Sequence, residues 1–98
     1  MALFDLLGRR WAMGVLWTLS SHGPLTFRDL QSRCETISPA VLNQRLKELR
    51  AAKFIEKTDH GYAATNLGLR IYMQLLPLRE AAMVWREVLD REPPESGG

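Results

Sequence analysis

The sequence predicts a mainly α-helical domain carrying a small β-hairpin (α+β), and three observations predict it. Apolar residues recur at helical steps of three and four in several short segments, set off by Gly-Pro and Ser-Pro punctuation. Two extended segments flank a turn at Asp59-His60-Gly61. The length, 98 residues, is that of one domain, and a hydrophobic share of 46% with 24% charged residues suits a folded chain rather than a disordered one.

In order, residues 2–7 read as a short helix closed by Gly8. Residues 11–21 read as a second, in which Trp11, Val15 and Leu19 share a face, and His22-Gly23-Pro24 stops it. Residues 25–27 are short and extended. Thr26 is placed to cap a third helix over 27–34, with Asp29 as its capping-box partner and Leu30 and Cys34 on one face. Ser38-Pro39 opens a fourth helix reaching about Ala52, because Ser caps and Pro is favoured at the first helical position. Its buried stripe is Leu42, Leu46 and Leu49. Residues 54–58 and 62–65 form the hairpin. Thr65 or Asn66 caps a last helix through Asp90, in which Pro77 should introduce a kink, and residues 91–98 read as a disordered tail. Two short helices joined by a tight linker and followed at once by a hairpin describe a winged helix-turn-helix, with residues 1–90 as one domain.

That arrangement points to double-stranded DNA, since an α-helix fits the major groove. With the leucine stripe turned inward, the fourth helix presents Ala40, Asn43, Gln44 and Lys47 outward as base readers. Asn and Gln pair with adenine, Lys reaches guanine or phosphate, and a small Ala approaches a thymine methyl. Phosphate contacts are expected from Arg9, Arg10, Thr26, Arg28, Ser38, Lys57 and His60. Arg45 should pack along its stem and pair with an acidic neighbour. Charge follows the same division. Residues 1–70 hold ten Lys and Arg against six Asp and Glu, while residues 71–98 hold three against five.

Other classes of function find less support. No catalytic constellation, phosphate-binding glycine loop or metal-ligand spacing stands out, so neither an enzyme nor a metal or cofactor is expected. The lone Cys34 builds no intrachain disulfide and reads as a small core residue. No segment has the length of a membrane span or the pattern of a secretion signal, so a cytoplasmic protein without a membrane partner is expected. The rival reading is a winged helix turned to protein–protein interaction, and a third is a ligand-gated regulator with a small molecule near Trp11, Trp17 or Trp85.

Several runs carry a family resemblance: Gly8-Arg9-Arg10-Trp11, Gly23-Pro24-Leu25-Thr26-Phe27-Arg28-Asp29-Leu30, and above all residues 37–49, Ile-Ser-Pro-x-x-Leu-x-x-Arg-Leu-x-x-Leu. With Thr65-Asn66-Leu67-Gly68, Leu75-Leu76-Pro77-Leu78 and Trp85, they make the chain resemble the HxlR family, relatives of the MarR group, over residues 8–85. The resemblance implies a homodimeric winged-helix transcription regulator, some members responding to small electrophiles; a repressor is expected, although the sequence alone does not separate repressor from activator. It also implies dimerisation through the first and last helices. Leu3, Phe4 and Leu7 would then meet Tyr72, Leu75, Leu78, Ala82, Trp85 and Leu89, part of an apolar band that also includes Ile71 and that a small domain cannot cover alone. The sequence departs from the family in four places. Arg9 stands where a second Gly is usual, Asn66 where Pro is usual, the hairpin turn is shorter, and the N-terminal Cys of redox-sensing members is missing.

Overall fold

The computed structural model describes residues 2–34 and 36–91. The chain runs α1 (Ala2–Leu7), α2 (Ala12–His22), α3 (Phe27–Arg33), α4 (Pro39–Ala51), β1 (Ile55–Thr58), β2 (Gly61–Ala64) and α5 (Asn66–Arg91). This is the expected mainly helical fold with a hairpin. The tail expected at residues 91–98 lies outside the described residues except for Arg91, which is the last residue of α5.

Local chemistry sets the boundaries. The Thr26 hydroxyl accepts from the Asp29 N–H at 3.1 Å while the Asp29 carboxylate accepts from the Thr26 N–H at 3.3 Å, a complete capping box on α3. Ser38 Oγ accepts from the Val41 N–H at 3.2 Å, with Pro39 as the first helical residue of α4. Of the two caps considered for α5, Thr65 is the one used. Its hydroxyl accepts from the Gly68 N–H at 3.0 Å and donates to the Lys53 carbonyl at 2.6 Å. α2 begins one residue later than expected because Trp11 adopts the left-handed φ of 75°. α5 continues through Pro77 as a single helix.

The core is one cluster. Leu42, Leu46 and Leu49 of α4 are at most 1% exposed and share one cluster with Val15, Leu16 and Leu19 of α2, Leu30 of α3, Phe54 just before the hairpin and Ile55 of β1. β1 and β2 pair antiparallel with Ile55 opposite Ala64 and Thr58 opposite Gly61, leaving Asp59 and His60 as the turn. Gly61 has φ 115°, and a Cβ there would stand 2.5 Å from the Leu25 carbonyl, so both angle and space demand glycine. Leu25 in turn exchanges two backbone hydrogen bonds with Tyr62, at 2.9 and 2.7 Å, and so adds a rung on the far side of β2. The segment before α3 is thereby tied to the wing.

α5 leaves this body. Gly68 is its one buried residue among those described, Ile71 through Leu76 are partly covered on one side, and every residue from Pro77 onward is exposed. The molecule measures 55 × 27 × 26 Å.

Candidate nucleic-acid interface

On α4 the leucine stripe faces inward, and Ala40, Asn43, Gln44 and Lys47 are all exposed. Their spacing of three, one and three puts them on one continuous face over two turns. α3 is fastened to the start of this helix, because Gln31 Nε2 donates to the Ile37 carbonyl at 2.6 Å. The face thus offers two carboxamides, each with donors and an acceptor, and one ammonium, on a helix braced from behind by the core.

The expected phosphate ligands surround this helix in sequence and are all exposed: Arg10 before α2, Thr26 and Arg28 at the start of α3, Ser38 at the start of α4, Lys57 on β1 and His60 at the hairpin tip. The hydroxyl oxygens of Thr26 and Ser38 already accept capping bonds, which leaves their hydrogens to donate. The Arg10 guanidinium lies 5.4 Å from the centre of the Trp11 ring, and the Lys57 ammonium 5.7 Å from that of Tyr62.

Arg9 is engaged elsewhere. It pairs with one oxygen of Glu48 while Arg45 pairs with the other, and Arg45 Nε donates to the Arg10 carbonyl at 2.9 Å. The pairing of Arg45 with an acidic neighbour is legible in the sequence from their separation of three on one helix. The participation of Arg9 is not, since it joins positions 39 apart. Burial pushes the Glu48 carboxyl up, but hydrogen bonds and charge from Arg45, then charge and a hydrogen bond from Arg9, outweigh it and hold the group below the usual carboxylate value.

Apolar side chains stand bare on α1 and α5. Phe4 is 69% and Trp85 64% exposed, and Leu78, Ala82 and Leu89 are exposed with them. Leu3 and Leu75 are half-buried, as is Tyr72, whose ring meets Trp17 edge-on at 4.8 Å. Leu7 corrects the expectation that it lies free for a partner: it is 7% exposed, taken into the chain's own core where α1 packs on α2. Met83, Val84 and Val88 widen the band beyond the residues singled out from sequence. An open groove between α2 and α5 is lined by Met13, Trp17, Leu75, Leu78, Arg79 and Ala82, with the Arg79 guanidinium 4.7 Å from the Trp17 ring centre. Cys34 is half-buried, and burial pushes its thiol pKa up, which disfavours the reactive thiolate. No described helix is long and apolar enough to cross a membrane.

Comparison with known proteins places these features. Residues 6–90 match the family model described as HxlR-like helix-turn-helix. An uncharacterised HTH-type transcriptional regulator of Halalkalibacterium halodurans is 25% identical over 84 residues, which span 83% of this chain and 74% of that protein. Among solved structures, quinone-bound YodB from B. subtilis is similar with a TM-score of 0.72 and 28% identity, covering 88% of this chain and 92% of its own. A possible HxlR family transcriptional factor from Thermoplasma volcanium is similar with a TM-score of 0.73 and 27% identity, covering 94% of this chain and 84% of its own.

Proposed function

The chain belongs to the HxlR-like helix-turn-helix family, and from that membership we propose that it is a transcription regulator that reads double-stranded DNA as a homodimer, a cytoplasmic repressor rather than an enzyme. The observation that carries the reading is the exposed face of Ala40, Asn43, Gln44 and Lys47, opposite a fully buried leucine stripe. α4 lies in the major groove, where Asn43 and Gln44 meet adenine edges, Lys47 a guanine or phosphate, and Ala40 a thymine methyl. Arg10, Thr26, Arg28, Ser38, Lys57 and His60 neutralise or donate to the phosphates around it.

The homodimer rests on α5. Ile71, Leu75, Leu78, Ala82, Trp85 and Leu89 recur at alternating steps of four and three, the spacing of a helix that packs along another helix. No described residue covers the outer half of that band, and Phe4 of α1 is bare as well. A twofold pair of subunits joined there presents two α4 helices to half-sites about 34 Å apart.

The test is selection from fragmented genomic DNA by the full chain at two salt concentrations, followed by sequencing of what is retained. The expected result is a short near-palindrome whose affinity falls by about three orders of magnitude or more between roughly 50 and 200 mM salt. Sequence-blind, weak retention at both concentrations overturns the reading and favours the protein-interaction alternative.

A second reading, a small-molecule inducer, is favoured by the apolar groove where Arg79 lies over Trp17, together with the similarity to YodB in its quinone-bound form. It predicts that a benzoquinone probe quenches Trp17 emission and weakens binding to the selected fragment. An unchanged affinity at saturating probe excludes it.

A further inference from the structure

The α1–α2 elbow, residues 8–11, is fastened to α4 through two arginines and one carboxylate. Arg9 reaches Glu48 from the elbow, Arg45 reaches the other oxygen of Glu48 from within α4, and Arg45 Nε holds the Arg10 carbonyl at 2.9 Å. The side chains of Glu48 and Arg45 are only 13% and 17% exposed. The elbow these contacts grip contains Trp11 at φ 75°, an angle a bulky side chain keeps only where its surroundings hold it. No side chain caps the N-terminus of α2 there. Glu48 lies next to Lys47 and one turn beyond Gln44, so it shares a helix with the reading face without belonging to it.

A carboxylate on a helix that approaches DNA is a liability. Duplex DNA carries one negative charge per about 1.7 Å of axis, and an acidic side chain nearby opposes it. Here the charge is answered by two guanidiniums, and one of them, on Arg9, would otherwise be free for phosphate. Resting on the DNA-reading function above, we propose that Glu48 is a positioning residue for sequence recognition. It sets the angle of α4 against the elbow that carries α1 and withholds Arg9 from non-specific phosphate contact, so base selectivity depends on a side chain that touches no base.

The two consequences have opposite signs, which separates positioning from simple loss of structure. In E48Q one negative charge is gone and Arg9 is released, so binding to a scrambled duplex strengthens. The elbow anchor is weakened, so the selected duplex gains nothing or loses. The experiment measures affinities of the full-length wild type, E48Q, R9Q and the double variant for the selected fragment and for a scrambled fragment of equal length. We expect the ratio of the two affinities to fall about tenfold in E48Q. In the double variant the gain on scrambled DNA disappears while the ratio stays low. A ratio within twofold of wild type overturns the proposal, and so does a parallel loss on both fragments, which marks a merely structural role.

Hydrogen exchange keeps the matter decidable if the wild type discriminates between no fragments, a result that sinks the DNA reading by itself. E48Q is expected to raise exchange at the Ala12 and Val15 amides, which bond to the Arg9 and Trp11 carbonyls at 3.1 and 2.9 Å, and not in the core at Leu30. Unchanged exchange at Ala12 and Val15 removes the anchor, whatever the DNA result.

Discussion

Gly68 stands so close to Phe54 that a Cβ built on it would lie 2.0 Å from the Phe54 carbonyl oxygen and 2.9 Å from the carbonyl carbon. No flexible side-chain end can yield there, because the opposing atoms are backbone. The contact seats the first turn of α5 against the strand entering the hairpin, beside the Thr65 N–H that donates to the same Phe54 carbonyl at 3.0 Å. Gly68→Ala is therefore expected to cost about 1–3 kcal/mol or more, as overpacking does where the surroundings cannot shift. Urea unfolding of the two proteins at equal concentration measures it. A cost below about 0.5 kcal/mol, the range of ordinary surface changes, would show that α5 can slide away from Phe54.

Base readers and phosphate ligands are expected to fail differently. Asn43→Ala or Gln44→Ala should weaken the selected fragment by about 1–3 kcal/mol and relax preference at one base position, with the salt slope unchanged. Arg28→Ala should weaken selected and scrambled fragments alike and lower the salt slope by about one. Salt titrations on both fragments measure this. If Asn43→Ala affects the two fragments equally, α4 is not what reads sequence.

The outer half of α5 is exposed and meets the body of its own chain only along the α2 groove, where Arg79 lies over Trp17, so charge placed at Leu78 or Trp85 is expected to spare the fold. Leu78→Glu and Trp85→Glu are expected to leave the helical content and unfolding midpoint at low concentration near wild type. Both should shift sedimentation from dimer to monomer. A wild-type chain that sediments as a monomer at tens of micromolar removes the proposed interface.

The Glu48 pairs tie stability to pH. Because the folded carboxyl sits below its ordinary value of about 4.3, its contribution is complete above that pH and is lost as pH falls through the lower folded value. Wild type should exceed E48Q in stability at pH 7, and the gap should narrow as pH falls from about 4.3 through the lowered folded value. A gap that stays constant from pH 7 to 3 means that the carboxylate charge contributes nothing through Arg9 and Arg45.

Much of this architecture is legible in the sequence because its signals are local. Thr26 with Asp29, Ser38 with Pro39, and the Leu42, Leu46 and Leu49 stripe each lie within a few residues, and each forms as its spacing implies. The outward face of α4 follows from the same stripe. Contacts made across the chain are harder to read. Nothing near Leu7 announces that the body of the domain would cover it while leaving Phe4 bare, because α1 is too short for a clean helical period. Nothing near Arg9 announces Glu48. The choice between Thr65 and Asn66 as cap was settled by a distant carbonyl, that of Lys53, to which Thr65 also donates.

The rungs between Leu25 and Tyr62 bear on how the chain reaches this state. They close a loop that contains all of α3, α4 and β1, while almost every other bond in that loop joins near neighbours. Local helical turns form quickly, and a closure across so long a stretch must wait until the chain has lost the entropy of bringing its ends together. During refolding, amide protection at Leu25 and Tyr62 is thus expected after protection across α4. In the native state the same two bonds should open before the helices they enclose, so the wing is the part of the domain that assembles last and loosens first.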